Sequence, residues 1–260
     1  QKQAALTIPT ILIWPETAMP PVLLNSVAVR QRIGRLLQSH APHSILVTGA
    51  LDKNNQTYGK PQYYNAITAF TAHAPPNRIY EKSHLVPFGE YIPFQKFIPL
   101  KPVTSFSGFE KGNGPKTVSI HHHPPFSPLI CYEVIFPGKI TPLHSKSEWI
   151  LNITNDAWYG RSPGPYQHFA QTRFRAIEEG LPLVRSANTG ISGVIDPFGR
   201  ILKKADLMTD RQLLSFLPLA IKDATLYKTL KLHPYFEFTF FFISLSVSYT
   251  HLTLPTMYTV

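Results

Sequence analysis

One cysteine, one lysine and a glutamate stand at the ends of three strand-like segments. Cys131, the only cysteine of the chain, closes the run Leu129-Ile130-Cys131 and is followed by Tyr132-Glu133. Lys82 follows Ile79-Tyr80-Glu81, and Glu16 follows Ile11-Leu12-Ile13-Trp14-Pro15. A thiol, a candidate base and a candidate cation make the smallest kit for covalent acyl transfer: nucleophile, proton acceptor and stabiliser of the charge that develops on a carbonyl oxygen. Taken singly, each residue is ordinary. A lone cysteine is usually a small buried hydrophobe, and a glutamate after proline usually caps a loop. Three strand ends that each carry one member of the set are a more specific signal.

The elements around them read as alternating strands and helices. Strands are expected at Thr10–Trp14, Ser44–Thr48 (ended by Gly49), Ile79–Lys82, Thr117–His121 and Ser127–Ile130, with a buried run at Glu148–Thr154. Further strands are expected at Leu183–Ser186, Gly190–Asp196, Ile201–Lys204 and Leu213–Leu217, with Pro197-Phe198-Gly199 as a hairpin turn. Helices are expected at Ser26–Ser39 and Pro165–Glu179. Such alternation argues for a layered α/β domain. Pro15 ends strand pairing and throws Glu16 to the strand end, where α/β sites collect. A strand-to-helix elbow at Cys131 is expected to expose the thiol, lower its pKa through helix-terminal amides, and offer the Tyr132 amide to an oxyanion. Glu90, eight residues after Lys82, is placed to orient it or to replace Glu16 in one step.

At 260 residues the chain can bury a core of one large domain. It carries 25 Lys and Arg against 15 Asp and Glu, a formal charge of +10. The basic residues are scattered and no nucleic-acid motif is present, so the charge favours a lipid surface over nucleic acid. A single cysteine excludes an internal disulfide framework. His121-His122-His123 reads as an exposed turn, because three adjacent histidines on a strand cannot all face one metal. No metal or other cofactor is implied. The stretch 92–115 is apolar without clear period, as in packed core or in an arm that touches something apolar. Tyr235–Val247 is apolar but too short to span a bilayer, which needs about 20 residues. It reads as the start of a spanning helix.

The same residues carry a family resemblance. Glu16, Lys82 and Cys131 resemble the Glu-Lys-Cys set of the nitrilase, or carbon–nitrogen hydrolase, superfamily. Trp14-Pro15-Glu16, the run Lys82 to Tyr91, Cys131-Tyr132-Glu133, the run Asn155 to Gly160 and the run Arg185 to Ser192 resemble bacterial apolipoprotein N-acyltransferases over roughly residues 8–235. Soluble relatives share the Lys-x-His-Leu start but lack the Val-Pro-Phe-Gly-Glu-Tyr continuation. The resemblance implies an α-β-β-α sandwich, with Glu16 as general base, Lys82 as transition-state stabiliser and Cys131 as nucleophile. It implies supporting roles for Glu90, Tyr132 and Glu133, and places Trp158 at a lipid entrance. It implies ping-pong transfer of an acyl chain from a phospholipid, through a Cys131 thioester, to the N-terminal amine of a diacylglyceryl-cysteine apolipoprotein. The expected setting is a monomer in the bacterial inner membrane with its catalytic domain on the periplasmic side. A soluble amidase or nitrilase using the same triad is the alternative.

The expected organisation follows from that resemblance. Residues 1–234 form the catalytic domain, truncated at its N-terminus so that its first strand and part of its first helix are missing. Residues 235–246 begin a transmembrane helix. Residues 247–260 form a non-native tail resembling translated sequencing adapter.

Overall fold

The computed structural model describes residues 8–54, 62–93 and 108–231. Two sheets face each other across one core. In the first, β1 (Ile11–Ile13), β2 (Ile45–Asn54), β3 (Gln62–Phe70) and β4 (Asn77–Glu81) lie in sequence order; β1 and β2 are parallel and the other pairs antiparallel. In the second, β5 (Phe126–Ile130), β6 (Trp149–Asn155) and β7 (Leu183–Asn188) run parallel, and β8 (Ser192–Ile195) and β9 (Ile201–Ala205) continue antiparallel.

Period-two alternation builds the layers. On β6, Trp149, Leu151 and Ile153 point into the inter-sheet core, where they meet Ile45 and Val47 of β2 and Ile67 and Ala69 of β3. The intervening Ile150 points outward and packs with Phe169 and Ala176 of α3 (Gly164–Glu179). On β2, the intervening Leu46 turns towards Leu24 of α1 (Pro21–Leu24) and Leu37 of α2 (Val27–His40). The order is therefore helix, sheet, sheet, helix, as expected. Ser26 caps α2 through its side chain, and α3 ends at Gly180 in the left-handed conformation (φ 63°) that glycine adopts without strain.

Three expectations are corrected. β2 does not stop at Gly49 but runs on to Asn54. A Cβ on Gly49 would lie 2.5 Å from the Glu16 Cα, so this glycine marks a close backbone crossing rather than a strand end. Within 117–121 only Val118 pairs, in an isolated bridge to Phe126 on the free edge of β5. Residues 213–217 form no strand: Leu217 packs on the inter-sheet core, but Leu214 and Phe216 face solvent and no sheet edge meets the segment. A short helix, α4 (Leu226–Lys231), follows unannounced by the sequence pattern. Most of the apolar stretch (94–107) and everything from 232 on, including 235–246 and 247–260, lie outside the described residues. Among the described residues no helix is long and apolar enough to cross a membrane.

Candidate active site

Glu16 leaves β1 after Pro15 and turns across Gly49, whose amide donates to the Pro15 carbonyl at 3.1 Å. The glutamate is buried, and both its oxygens are held. Oε1 accepts from Asn65 Nδ2 at 2.7 Å and Oε2 from the Asn155 amide at 2.7 Å, so the two sheets grip one carboxylate. Lys82, directly after β4, is also buried and lies 3.8 Å from Glu16 Oε1. Its close partner is instead Glu90, at 2.9 Å. Glu90 also accepts from Asn65 Nδ2 at 3.1 Å and from the Val86 amide at 2.8 Å, which folds the 86–90 loop back onto the lysine. Lys82 thus holds a salt bridge without directly hydrogen-bonding the candidate base.

The electrostatics follow from burial. Desolvation raises the Glu16 pKa above the ordinary carboxylate value, although Lys82 and Asn65 work the other way. Burial alone would lower the Lys82 pKa, but Glu16, Cys131 and Glu90 together push it above its usual value, so its charge is secure.

Cys131 stands between β5 and a five-residue 3-10 turn, Cys131–Ile135, in the left-handed conformation at φ 52°. For a residue with a Cβ this conformation is strained and needs outside support. The elbow is present, but the expected exposure and lowered pKa are not. The thiol is partly buried and is pushed up to about 12 by desolvation and by the charge of Glu16, with Lys82, Thr154 and Arg185 opposing. A short turn beside a carboxylate does not outweigh loss of water. The resting group is a neutral thiol that needs a base at the moment of attack.

Glu133 has a different task. Its Oε1 accepts from Tyr80 Oη (2.8 Å), the Ser83 amide (2.7 Å), Ser83 Oγ (2.8 Å) and the His84 amide (3.0 Å), and its Oε2 accepts from the Ile130 amide (2.8 Å). One buried carboxylate thereby rivets the loop after Lys82 to the strand before Cys131. Tyr132 points its ring towards His84 and Phe136, with centroids 5.9 and 4.9 Å away. Trp158 lies on the 3-10 turn Asp156–Tyr159 with 74% of its surface exposed.

Sequence reasoning missed Asn65, which joins Glu16 to Glu90, and His168, and gave no role to Asp156 and Arg185, which form with His168 a buried set beneath the thiol. Arg185 Nη2 donates to Asp156 Oδ2 at 2.8 Å, and its Nη1 donates to Asn152 Oδ1. Burial would raise the Asp156 pKa, but His168 and Arg185 hold it below the ordinary value. The available signal was an arginine inside the apolar strand Leu183–Asn188, a position where a charge requires a partner. Among the described residues no group of three or more His, Cys, Asp or Glu could hold a metal. The His43 and His122 rings stack at 3.6 Å rather than converging their nitrogens.

The family model described as carbon-nitrogen hydrolase matches residues 9–224. The chain belongs to the carbon-nitrogen hydrolase family. Curated relatives include the apolipoprotein N-acyltransferase of Agrobacterium fabrum, 41% identical over 203 residues (76% of this chain and 38% of the relative). That of Rhodopseudomonas palustris is 42% identical over 217 residues (80% and 40%). The chain therefore spans 38–40% of the length of these relatives. Among solved structures, a carbon-nitrogen hydrolase superfamily protein from Xanthomonas campestris with an arsenic adduct in its active site superposes with TM-score 0.52. It is 17% identical and is matched over 76% of this chain and 75% of its own. A carbon-nitrogen hydrolase from Helicobacter pylori G27 gives TM-score 0.52 at 16% identity, over 76% and 73%. These structures share the family fold, with its mixed sheets.

Proposed function

We propose that this chain is the catalytic part of an apolipoprotein N-acyltransferase. The observation that carries the reading is the convergence at the strand ends: a buried, doubly held Glu16, a secure Lys82 cation 3.8 Å from it, and a strained Cys131 whose thiol feels both charges. The similarity to proteins named apolipoprotein N-acyltransferases supports an apolipoprotein amine as the acceptor of that acyl-transfer chemistry.

In this reading Glu16, made more basic by burial, takes the Cys131 proton as sulfur attacks the ester carbonyl of a phospholipid. Lys82 stabilises the oxyanion together with the Tyr132 amide. Collapse releases a lysophospholipid, with the proton returned through Glu16, and leaves an acyl-thioester on Cys131. The amine of a diacylglyceryl-cysteine then attacks the thioester, gives up a proton to Glu16 and restores the thiol. Glu90 keeps Lys82 in place, and Glu133 keeps the lysine loop on the elbow.

Exposed aromatics on the loops that leave these strands support a lipid-facing mouth. Trp14 precedes Glu16, Phe88 and Tyr91 flank Glu90, and Trp158 and Tyr159 follow Asn155. The tryptophans and tyrosines among them, apolar rings with a polar edge, suit the boundary between water and lipid. The reading places the full-length protein as a monomer in a bacterial inner membrane with this domain on the periplasmic side. Residues 1–234 are then the catalytic domain.

The test gives the detergent-solubilised full-length protein a phospholipid and a diacylglyceryl-cysteine peptide. The peptide should gain one acyl chain. Release of free fatty acid with an unmodified peptide would make the enzyme a hydrolase and overturn the reading.

A further inference from the structure

The acyl-transfer reading uses the side chain of Cys131 but says nothing of what holds its backbone. The Cys131 carbonyl oxygen lies 3.2 Å from His168 Nε2. A carbonyl only accepts, so Nε2 carries a hydrogen and donates it. Nδ1 of the same ring sits 2.9 Å from Asp156 Oδ1 and 3.1 Å from Arg185 Nη2. It can donate to the carboxylate or accept from the guanidinium, and either state leaves Nε2–H on the carbonyl.

All three side chains are buried, and each has further anchors. Asp156 Oδ1 also accepts from Thr154 Oγ1 at 3.1 Å. Arg185 Nε donates to the Ile191 carbonyl at 3.1 Å. Gly190 is packed so closely on Asp156 that a Cβ there would collide with its carboxylate. The ring of His168 therefore has little freedom to turn.

The geometry points to His168, locked by Asp156 and Arg185, as the positioning residue that aims the Tyr132 amide at the substrate carbonyl. The step from one to the other is the planarity of the peptide. The Cys131 carbonyl and the Tyr132 N–H belong to one trans peptide and point in opposite directions. Fixing the oxygen on the α3 side sends the hydrogen to the opposite side. That N–H falls in the first turn of a 3-10 helix, where amides have no intrahelical acceptor. The Ile130 amide is pinned to Glu133 just before, so the left-handed φ of Cys131 is braced on both flanks. His168 touches no reacting atom. Its effect is confined to steps that build negative charge on a carbonyl oxygen.

This inference rests on the proposed acyl transfer at the same site and adds to it how the oxyanion donor is aimed. The test compares two reactions of Cys131 in the full-length protein, located by peptide mass mapping. Acylation by a p-nitrophenyl ester passes through an oxyanion; alkylation by iodoacetamide does not. His168→Asn can reach the Nδ1 partners but not the carbonyl, whereas His168→Gln can place an amide N–H near Nε2. His168→Asn should slow ester acylation about 10–100-fold, less than the complete loss of an oxyanion donor. It should change alkylation less than about threefold, and His168→Gln should recover at least tenfold of the acylation rate. Parallel losses in both reactions, equal behaviour of Asn and Gln, or a wild type that the ester does not acylate would overturn the inference. Acylation by the ester but by no phospholipid would count against the proposed donor, while the His168 comparison would still be decided.

Discussion

Two buried carboxylates face the same elbow and are treated in opposite ways. Glu16 receives two hydrogen bonds and a cation at 3.8 Å, and burial raises its pKa. Glu133 receives five hydrogen bonds, four on one oxygen, from donors before and after Lys82 and before Cys131. A carboxylate that must take a proton keeps capacity unspent, and one that must hold two loops together does not. Residue type was the same in both cases; the number of donors separates the proposed base from the rivet.

The comparison breaks most sharply on amide substitution. Glu16→Gln removes the proposed base and keeps the shape. It should lower the rate of Cys131 acylation by about 10³-fold, within the usual range for a general base, while the melting temperature stays within about 3 °C. Single-turnover kinetics and a thermal melt measure both. Glu133→Gln should do the reverse. Its amide nitrogen must face at least the Ile130 N–H that the carboxylate accepted, and its neutral oxygen holds the other four donors more weakly, so it should cost about 3 kcal/mol, lowering the melting temperature by about 6–12 °C. Activity should fall with the folded fraction. If Glu133→Gln left stability intact and abolished acylation, the two assignments would be exchanged.

The pH profile sharpens the same point. The rate of acylation should rise with pH as Glu16 loses its proton, with a midpoint above that of an ordinary glutamate. The stability effect has the opposite sign. A raised folded pKa means that the contribution of Glu16 is fully present below its unfolded value and is lost as pH rises through the folded value. Glu16→Gln should therefore flatten stability across that window, and a pH series of melts would show a loss of slope. The smallest effect is expected at the mouth. Trp158→Ala should leave stability within about 0.5 kcal/mol and iodoacetamide alkylation unchanged, and slow acylation from phospholipid vesicles severalfold. An unchanged vesicle rate would remove Trp158 from the lipid entrance.

What was legible in the sequence was local. Strand ends announce themselves through apolar runs cut by proline or by a polar residue, and Glu16, Lys82 and Cys131 all lie at such cuts. A layered α/β class followed from the succession of strands and helices, and the four-layer sandwich only from the family resemblance. What was not legible depends on contacts between distant segments. Asn65 reads as one polar residue in a strand until β3 lies beside Glu16, and His168 as one polar residue of a helix until α3 packs under the elbow. Gly49 was misread as a strand end because a glycine required by another segment's close approach looks in sequence like a glycine required by a turn. The thiol was misread because burial, which raises its pKa to about 12, is a property of the packed site and not of the Ile-Cys-Tyr string.

The most direct test of covalent catalysis is the intact mass of the full-length protein after incubation with a phospholipid of one acyl type in detergent. The account predicts an increase of one acyl group, mapped to Cys131, absent in Cys131→Ala and discharged by a diacylglyceryl-cysteine peptide. No adduct on Cys131, or an adduct that persists in Cys131→Ala, would contradict it.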